Sequence, residues 1–171
     1  MKKNQVKYLK QLLETPSPTG SEIAVAKIVR ERLADTADEI QTDVMGSVHA
    51  RLFGRGLGPS LMLAAHMDEI GLMVTYVSDD GFLSVSAVGG VDAAILPGLR
   101  VDVHASNSIE PLRGVVGRKP NHLIKADARK HVTPTDQLVI DLGMPAKRVK
   151  KLVRVGDVIN FRARFDRFGS T

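Results

Sequence analysis

His66 and Asp68 are the residues of this 171-residue chain whose types and spacing point most directly to chemistry. Imidazole is the commonest metal ligand. A carboxylate two positions on lies on the same face of an extended chain, within reach of the ring nitrogen that does not meet a metal. The preceding Leu61-Met62-Leu63-Ala64-Ala65 is apolar and uncharged. Such a run reads as a strand buried on both faces, and in open α/β sheets ligand chemistry collects at the carboxyl ends of such strands. His66 is therefore the candidate metal ligand, and Asp68 the candidate catalytic-site carboxylate that orients it. A structural histidine is the competing explanation, because an H-x-D triplet is short enough to arise by chance. Glu69 follows directly, but strand alternation turns it away from the Asp68 face, which favours packing over catalysis.

The elements that must position these residues follow from periodicity. Val6, Leu9, Leu12 and Leu13 recur at helical spacing and predict an amphipathic helix that stops before Pro16 and Pro18. Ala24, Val25, Ile28, Val29 and Leu33 predict a second, core-facing helix, with Ser21 as its N-cap and Glu22 in its positive first turn. Strands are expected at Glu39 to Asp43 and Val48 to Phe53, joined by a turn at Met45-Gly46-Ser47, and Gly54 to Pro59 is expected as a loop. Helices followed by strands suggest half of an α/β sandwich.

After Gly71 the texture changes to short strands broken by Gly and Pro. Leu72 to Val77 and Phe82 to Ala87 flank Asp79-Asp80-Gly81, a hairpin signal because a turn position with φ > 0 favours glycine. Further strands are expected at Arg100 to His104, Leu112 to Gly117, Leu138 to Asp141 and Val158 to Arg164, with a Lys/Arg-rich helix over Ala146 to Leu152. This spacing suggests a small β-barrel. The boundary between the two units falls near residues 70 to 74, giving units 1–71 and 72–171.

Composition excludes several classes. With 43% hydrophobic residues the chain is globular, and the absence of Cys removes disulfides and thiolate metal sites, in keeping with a reducing cytoplasm. No run approaches the roughly 18 apolar residues of a membrane span, so neither membrane association nor a signal peptide is expected. The net charge of +5 comes wholly from the second part: residues 1–99 carry 9 Lys/Arg against 12 Asp/Glu, and residues 100–171 carry 15 against 7. Lys147, Arg148, Lys150, Lys151 and Arg154 crowd one segment, as a phosphate-binding patch would. A solvated helix face looks the same, and with no Trp and 4% aromatics for base stacking, nucleic acid is not an expected partner.

Other conspicuous residues have structural explanations. Gly89-Gly90 reads as a turn or bulge and not as a phosphate loop. Asp157, after Gly156 and before a strand, fits Asx-turn chemistry, and neither it nor Asp92 is assigned to metal. His49, His104, His122 and His131 are not spaced as chelates. His122, in an exposed Lys119-Pro120-Asn121-His122 loop, is a weaker candidate for shaping a neighbouring subunit's pocket.

His66-Met67-Asp68-Glu69-Ile70-Gly71-Leu72-Met73-Val74 resembles the signature of the tetrahedral, dodecameric di-metal aminopeptidases, a family that also includes glutamyl aminopeptidases and proteins labelled as endoglucanases. Matching motifs follow in order over nearly the whole chain: Ser17-Pro18-Thr19-Gly20-Ser21-Glu22, Asp80-Gly81-Phe82-Leu83, Val88-Gly89-Gly90, Leu96-Pro97-Gly98-Leu99-Arg100-Val101, Gly114 to Pro120, Ile140-Asp141-Leu142-Gly143 and Gly156-Asp157-Val158-Ile159. The resemblance implies a partial α/β, phosphorylase/hydrolase-like catalytic sandwich with an inserted small β-barrel, a PDZ-like dimerisation domain. It also implies two divalent metal ions, zinc or cobalt, in the complete enzyme, with His66 binding one and Asp68 fixing its orientation. The implied partners are peptide substrates and further copies of the chain, from a dimer up to a dodecamer, in the cytoplasm.

The same resemblance places a bridging aspartate, an adjacent glutamate pair, a further aspartate ligand and a late histidine beyond residue 171. A co-catalytic pair about 3.5–4 Å apart needs a bridging carboxylate, so this chain alone is expected to be inactive and to bind no metal stably. Two alternatives stand beside this N-terminal portion of an aminopeptidase. One is a non-catalytic oligomerisation module or remnant. The other is a glycan hydrolase, which would need paired carboxylates and aromatic sugar platforms that are not evident.

Overall fold

The computed structural model describes residues 2–56, 58–127 and 130–169. They form two compact units, with the chain passing into the second at Ile70 and returning to the first from Ala163 onward. The residues after Arg162, counted from sequence with the β-rich unit, thus cluster with the first.

The first unit opens with α1 (Lys3–Glu14), which stops where the residue before Pro16 turns extended, Thr15 having φ −92° and ψ 116°. A turn follows in which the Ser21 N–H donates to the Pro18 carbonyl at 2.7 Å and Gly20 takes φ +87°. A side chain there would be strained, which explains the glycine. Helix α2 (Ile23–Leu33) buries Val25 and Ala26, as its periodicity predicts. Its N-cap is Glu22, not Ser21, and no side chain caps it. The Glu22 carboxylate instead accepts the Gly20 N–H at 2.7 Å, because the tight turn brings that donor closer than the helix's own first N–H groups.

Strands β1 (Glu39–Thr42) and β2 (Val48–Arg51) pair antiparallel, with Glu39 opposite Arg51 and Thr42 opposite Val48. At the tip, Asp43 Oδ1 accepts the N–H groups of Met45 and Ser47, each at 2.9 Å, and Gly46 takes φ +89°.

The expected buried strand at Leu61 to Ala65 is corrected here. These residues lie outside every helix and ladder, and Leu61, Met62 and Leu63 are 85%, 86% and 88% exposed. A strand buried on both faces needs neighbours at both edges and a layer over each face. Among the described residues nothing pairs with this segment.

The second unit is a closed antiparallel barrel in the order β3-β4-β7-β6-β5-β8. The strands are β3 (Gly71–Val77), β4 (Leu83–Val88), β5 (Arg100–His104), β6 (Leu112–Gly117), β7 (Val139–Asp141) and β8 (Val158–Phe161), with helix α3 (Ala146–Leu152) before the last. Alternation sends Leu72, Val74, Leu83, Val85, Val101, Val103, Ile140 and Ile159 inward, and Val149 of α3 joins the same core. Closure leaves no unpaired edge. Two glycines permit close approach. A Cβ at Gly114 of β6 would sit 2.7 Å from Ile140 Cγ2, and one at Gly81, where φ is +88°, would sit 2.8 Å from the Ala146 Cα. Strand β8 stops at Phe161, three residues short of the expected span.

Candidate metal centre

The histidine corner is assembled by two segments of the first unit that are far apart in sequence. Pro18 and Glu69 form a parallel bridge: the Glu69 N–H donates to the Ser17 carbonyl at 2.8 Å, and the Thr19 N–H to the Glu69 carbonyl at 3.3 Å. The Glu69 carboxylate accepts the Ser17 N–H at 2.9 Å. Glu69 therefore clamps the 17–19 segment alongside residues 67–69. This is a packing role, consistent with its turning away from the Asp68 face.

The clamp brings Thr19 to Asp68. Thr19 Oγ1 donates to Asp68 Oδ2 at 2.6 Å, and Asp68 Oδ1 lies 3.1 Å from His66 Nδ1, which also lies 3.1 Å from the Asp68 carbonyl oxygen. An ionised carboxylate and a carbonyl can only accept, so the proton they share with the ring sits on His66 Nδ1. The neutral ring then carries a bare lone pair on Nε2, which has no hydrogen-bond partner among the described residues. Imidazole with a free lone pair of this kind can ligate a metal. The Thr19 hydroxyl first, and the His66 imidazole second, hold the Asp68 carboxyl below its ordinary value and keep it ionised.

Beside this corner, α1, α2 and the β1–β2 turn leave a cleft of about 620 Å³. Its walls are Leu12, Leu13, Val25, Val29, Met45 and Val48, with Ala65 to Glu69 along one side. The site is open, His66 having a side chain 85% exposed.

The implied pair of divalent ions does not fit what is present. Among the described residues no three His, Cys, Asp or Glu side chains converge as a metal site. One imidazole, even well oriented, does not hold two ions. Several other candidates are occupied elsewhere. His49 Nε2 lies 3.1 Å from Asp43 Oδ2, and His104 Nε2 lies 2.7 Å from Asn160 Oδ1. Asp92 Oδ1 accepts the Ala94 N–H at 2.9 Å, capping a short 3₁₀ turn. Asp157, 4% exposed, accepts from the backbone N–H groups of Ser106 and Arg154 and from the Ser106 hydroxyl, so it joins two loops and does not form the expected Asx turn with the residues that follow it. His122 sits exposed in a 3₁₀ turn, Asn121–Leu123.

Thr19 is the residue that sequence reasoning did not place in the site. Ser17-Pro18-Thr19-Gly20 is legible as a turn, but the hydroxyl's partner lies 49 positions away.

Comparison with known proteins bears on these features. Residues 46–171 match the family model described as M42 glutamyl aminopeptidase. The chain is 32% identical over 163 residues to the lysyl aminopeptidase of Pyrococcus furiosus, a match that covers 93% of this chain and 46% of that protein. The crystal structure of a TET aminopeptidase from the marine sediment archaeon Thaumarchaeota archaeon SCGC AB-539-E09 matches with a TM-score of 0.89 at 30% identity, over 97% of this chain and 47% of that one. The TET1 peptidase of Pyrococcus horikoshii, described as able to assemble into a tetrahedron or a large octahedral shell, matches at 0.78 and 32% identity over 94% and 47%. The chain thus spans about half the length of the relatives it matches.

Proposed function

We propose, because this chain belongs to the M42 glutamyl aminopeptidase family, that its residues are one part of a co-catalytic metallo-aminopeptidase that removes N-terminal residues from peptides. The observation that carries the reading is the run of hydrogen bonds from Thr19 through Asp68 to His66, which leaves one imidazole nitrogen bare beside an open cleft. In the complete protein, His66 Nε2 contributes one ligand to one of two divalent ions, zinc or cobalt. Asp68 keeps the proton on Nδ1 and raises the basicity of Nε2, and Thr19 holds Asp68 in place. The other ligands and the general base come from outside these residues, and the chain by itself is inactive.

The barrel supplies contacts between copies of the chain, so that the working protein is a homo-oligomer. Its closed core, complete within residues 70–162, also supports a second reading in which the barrel is an oligomerisation module and the histidine corner a remnant.

Metal-loading and turnover assays separate these readings. The purified 171-residue chain, incubated with zinc or cobalt and an aminoacyl p-nitroanilide, is expected to release no p-nitroaniline; metal-dependent release would refute the claim that ligands are missing. In a complete protein containing these residues, His66→Ala is expected to lose bound metal and activity together. Unchanged metal content and turnover would refute the role of His66 as a metal ligand, whereas a complete protein with neither metal nor turnover before the substitution would leave the module reading.

A further inference from the structure

The barrel unit carries a cavity of its own, of about 250 Å³, where β6 ends. Three segments build it. Arg118 follows the last residue of β6, Gly117, which is held in the ladder opposite Val139 of β7. The 96–99 loop is tied to the same strand, the Gly98 N–H donating to the Val116 carbonyl at 2.8 Å and the Val116 N–H to the Leu99 carbonyl at 2.9 Å, which holds Pro97 in the wall that Arg118 shares. The third wall is Lys130 to Thr133, and the chain runs from there into β7 through a short turn in which the Leu138 N–H donates to the Thr135 carbonyl at 3.1 Å. Leu96 and Leu138 are fully buried and anchor the two loops in the core.

The chemistry of the walls is one-sided. Arg118 and Lys130 are cations, His131 and Thr133 are hydrogen-bonding groups, and among the described residues no Asp or Glu lines the cavity. Asp92, close in sequence to one wall, is turned to the Ala94 N–H at 2.9 Å. Asp127 stands 3.7 Å from the Lys130 ammonium, but both side chains are exposed, so the pair holds neither group firmly. The Arg118 guanidinium has five N–H donors in a planar fork, so the contact it makes within the chain leaves donors to offer. Two cations at one concavity raise its potential and draw an anion, and a fork of donors matches the oxygens of a carboxylate or phosphate. Pro97 and Val132 add apolar surface to the same walls.

We propose that Arg118, Lys130, His131 and Thr133 bind a small oxyanion, a carboxylate or phosphate borne on a short organic body that rests against Pro97 and Val132. Size sets the upper limit. Because a water takes about 30 Å³ in the liquid, the cavity holds about eight waters' worth of ligand, enough for an acid with a few carbon atoms and too little for a nucleic-acid strand. A strand would also need aromatic surface for its bases, and among the described residues no Phe, Tyr or Trp lines the cavity. The site uses nothing of the histidine corner, so it stands or falls apart from the metallo-aminopeptidase reading.

Nitrogen-15 NMR titration of the full 171-residue chain tests the site, with ionic strength held constant by chloride so that screening does not change. The probes are inorganic phosphate and N-acetyl-dialanine, whose blocked N-terminus prevents aminopeptidase turnover. The control is N-acetyl-dialanine amide, which lacks the carboxylate. Phosphate, N-acetyl-dialanine or both are expected to shift the amide signals of Arg118 and of Lys130 to Thr133 saturably below about 10 millimolar, and the control is expected to shift none. A response to one probe alone names which oxyanion the site takes. Lys130→Gln and Arg118→Gln are each expected to weaken binding about tenfold or more. The thermal midpoint should stay in place, because both side chains are exposed. If Arg118→Gln disturbs the barrel, Lys130→Gln, which lies outside every strand, still decides. Equal binding by the variants and the native chain, shifts centred instead on Lys147 to Arg154, or no saturable shift with either probe overturns the site.

Discussion

At the residue scale, the properties of His66 depend on which of its nitrogens bears the proton. Two acceptors at 3.1 Å select the Nδ1–H form, and a third residue, Thr19, steadies the acceptor. Asp68→Ala is therefore expected to abolish the preference for the Nδ1–H tautomer, which nitrogen-15 chemical shifts of the imidazole report directly. Thr19→Val should weaken that preference without abolishing it, since the carboxylate remains but loses its own donor. The loss of an outer partner of a metal-ligating histidine typically costs about 10–100-fold in metal affinity or activity. If the ring nitrogens give the same shifts in Asp68→Ala as in the native chain, the carboxylate has no hold on the ring. The type and spacing of His66 and Asp68 were legible because they are two residues apart. Thr19 was not, because its contact with Asp68 exists only once the 17–19 segment is clamped against residue 69.

At the element scale, the barrel follows from alternation and turn chemistry. Gly81 combines both demands on a glycine, a left-handed φ of +88° in the β3–β4 turn and a close approach to the backbone of Ala146. Gly81→Ala is expected to destabilise the chain by about 1–3 kcal/mol, measured by urea denaturation. An unchanged midpoint would mean that the turn relaxes freely.

The same turn is joined to α3 by Asp79 and Lys150, at 2.5 Å. The Lys150 ammonium holds the Asp79 carboxyl below its ordinary value, and Asp79 in turn raises Lys150. A depressed carboxyl contributes stability above its unfolded pKa and loses it as pH falls through the folded value. A raised ammonium contributes below the unfolded lysine pKa and loses it as pH rises through the folded one. The pair therefore stabilises across the middle of the pH range and fades at both ends. Both groups are exposed, so the effect is small. The thermal midpoint of Lys150→Met should fall slightly below that of the native chain near neutrality and converge with it in strong acid; a constant offset across pH would assign the difference to packing instead.

At the scale of the whole molecule, the two units meet the demands of burial differently. The barrel closes on itself and encloses a complete core. The first unit leaves Leu61, Met62 and Leu63 bare, together with Ile23 at 84% and Met45 at 83% exposed. An exposed apolar stretch of this kind is an association liability. Leu61→Lys combined with Leu63→Lys is expected to lower binding of the dye ANS and to reduce nonspecific aggregation. Urea stability of the barrel should not change, because neither leucine touches a core among the described residues. A large loss of stability would show that these leucines are already buried in solution.

The amino-acid sequence by itself determined the identity of the elements and the chemistry that one corner offers. Helical spacing, strand alternation, the Asp-Gly turn and the His-x-Asp triplet are all written within a few neighbouring residues, and local steric and hydrogen-bonding preferences suffice to read them. Only the tertiary structure decided that the apolar run before His66 forms no strand, that Glu22 and not Ser21 stands at the start of α2, and that Thr19 lies behind Asp68. Those outcomes depend on what packs against each segment. A strand's burial is a property of its neighbours, and an apolar pattern alone does not create them.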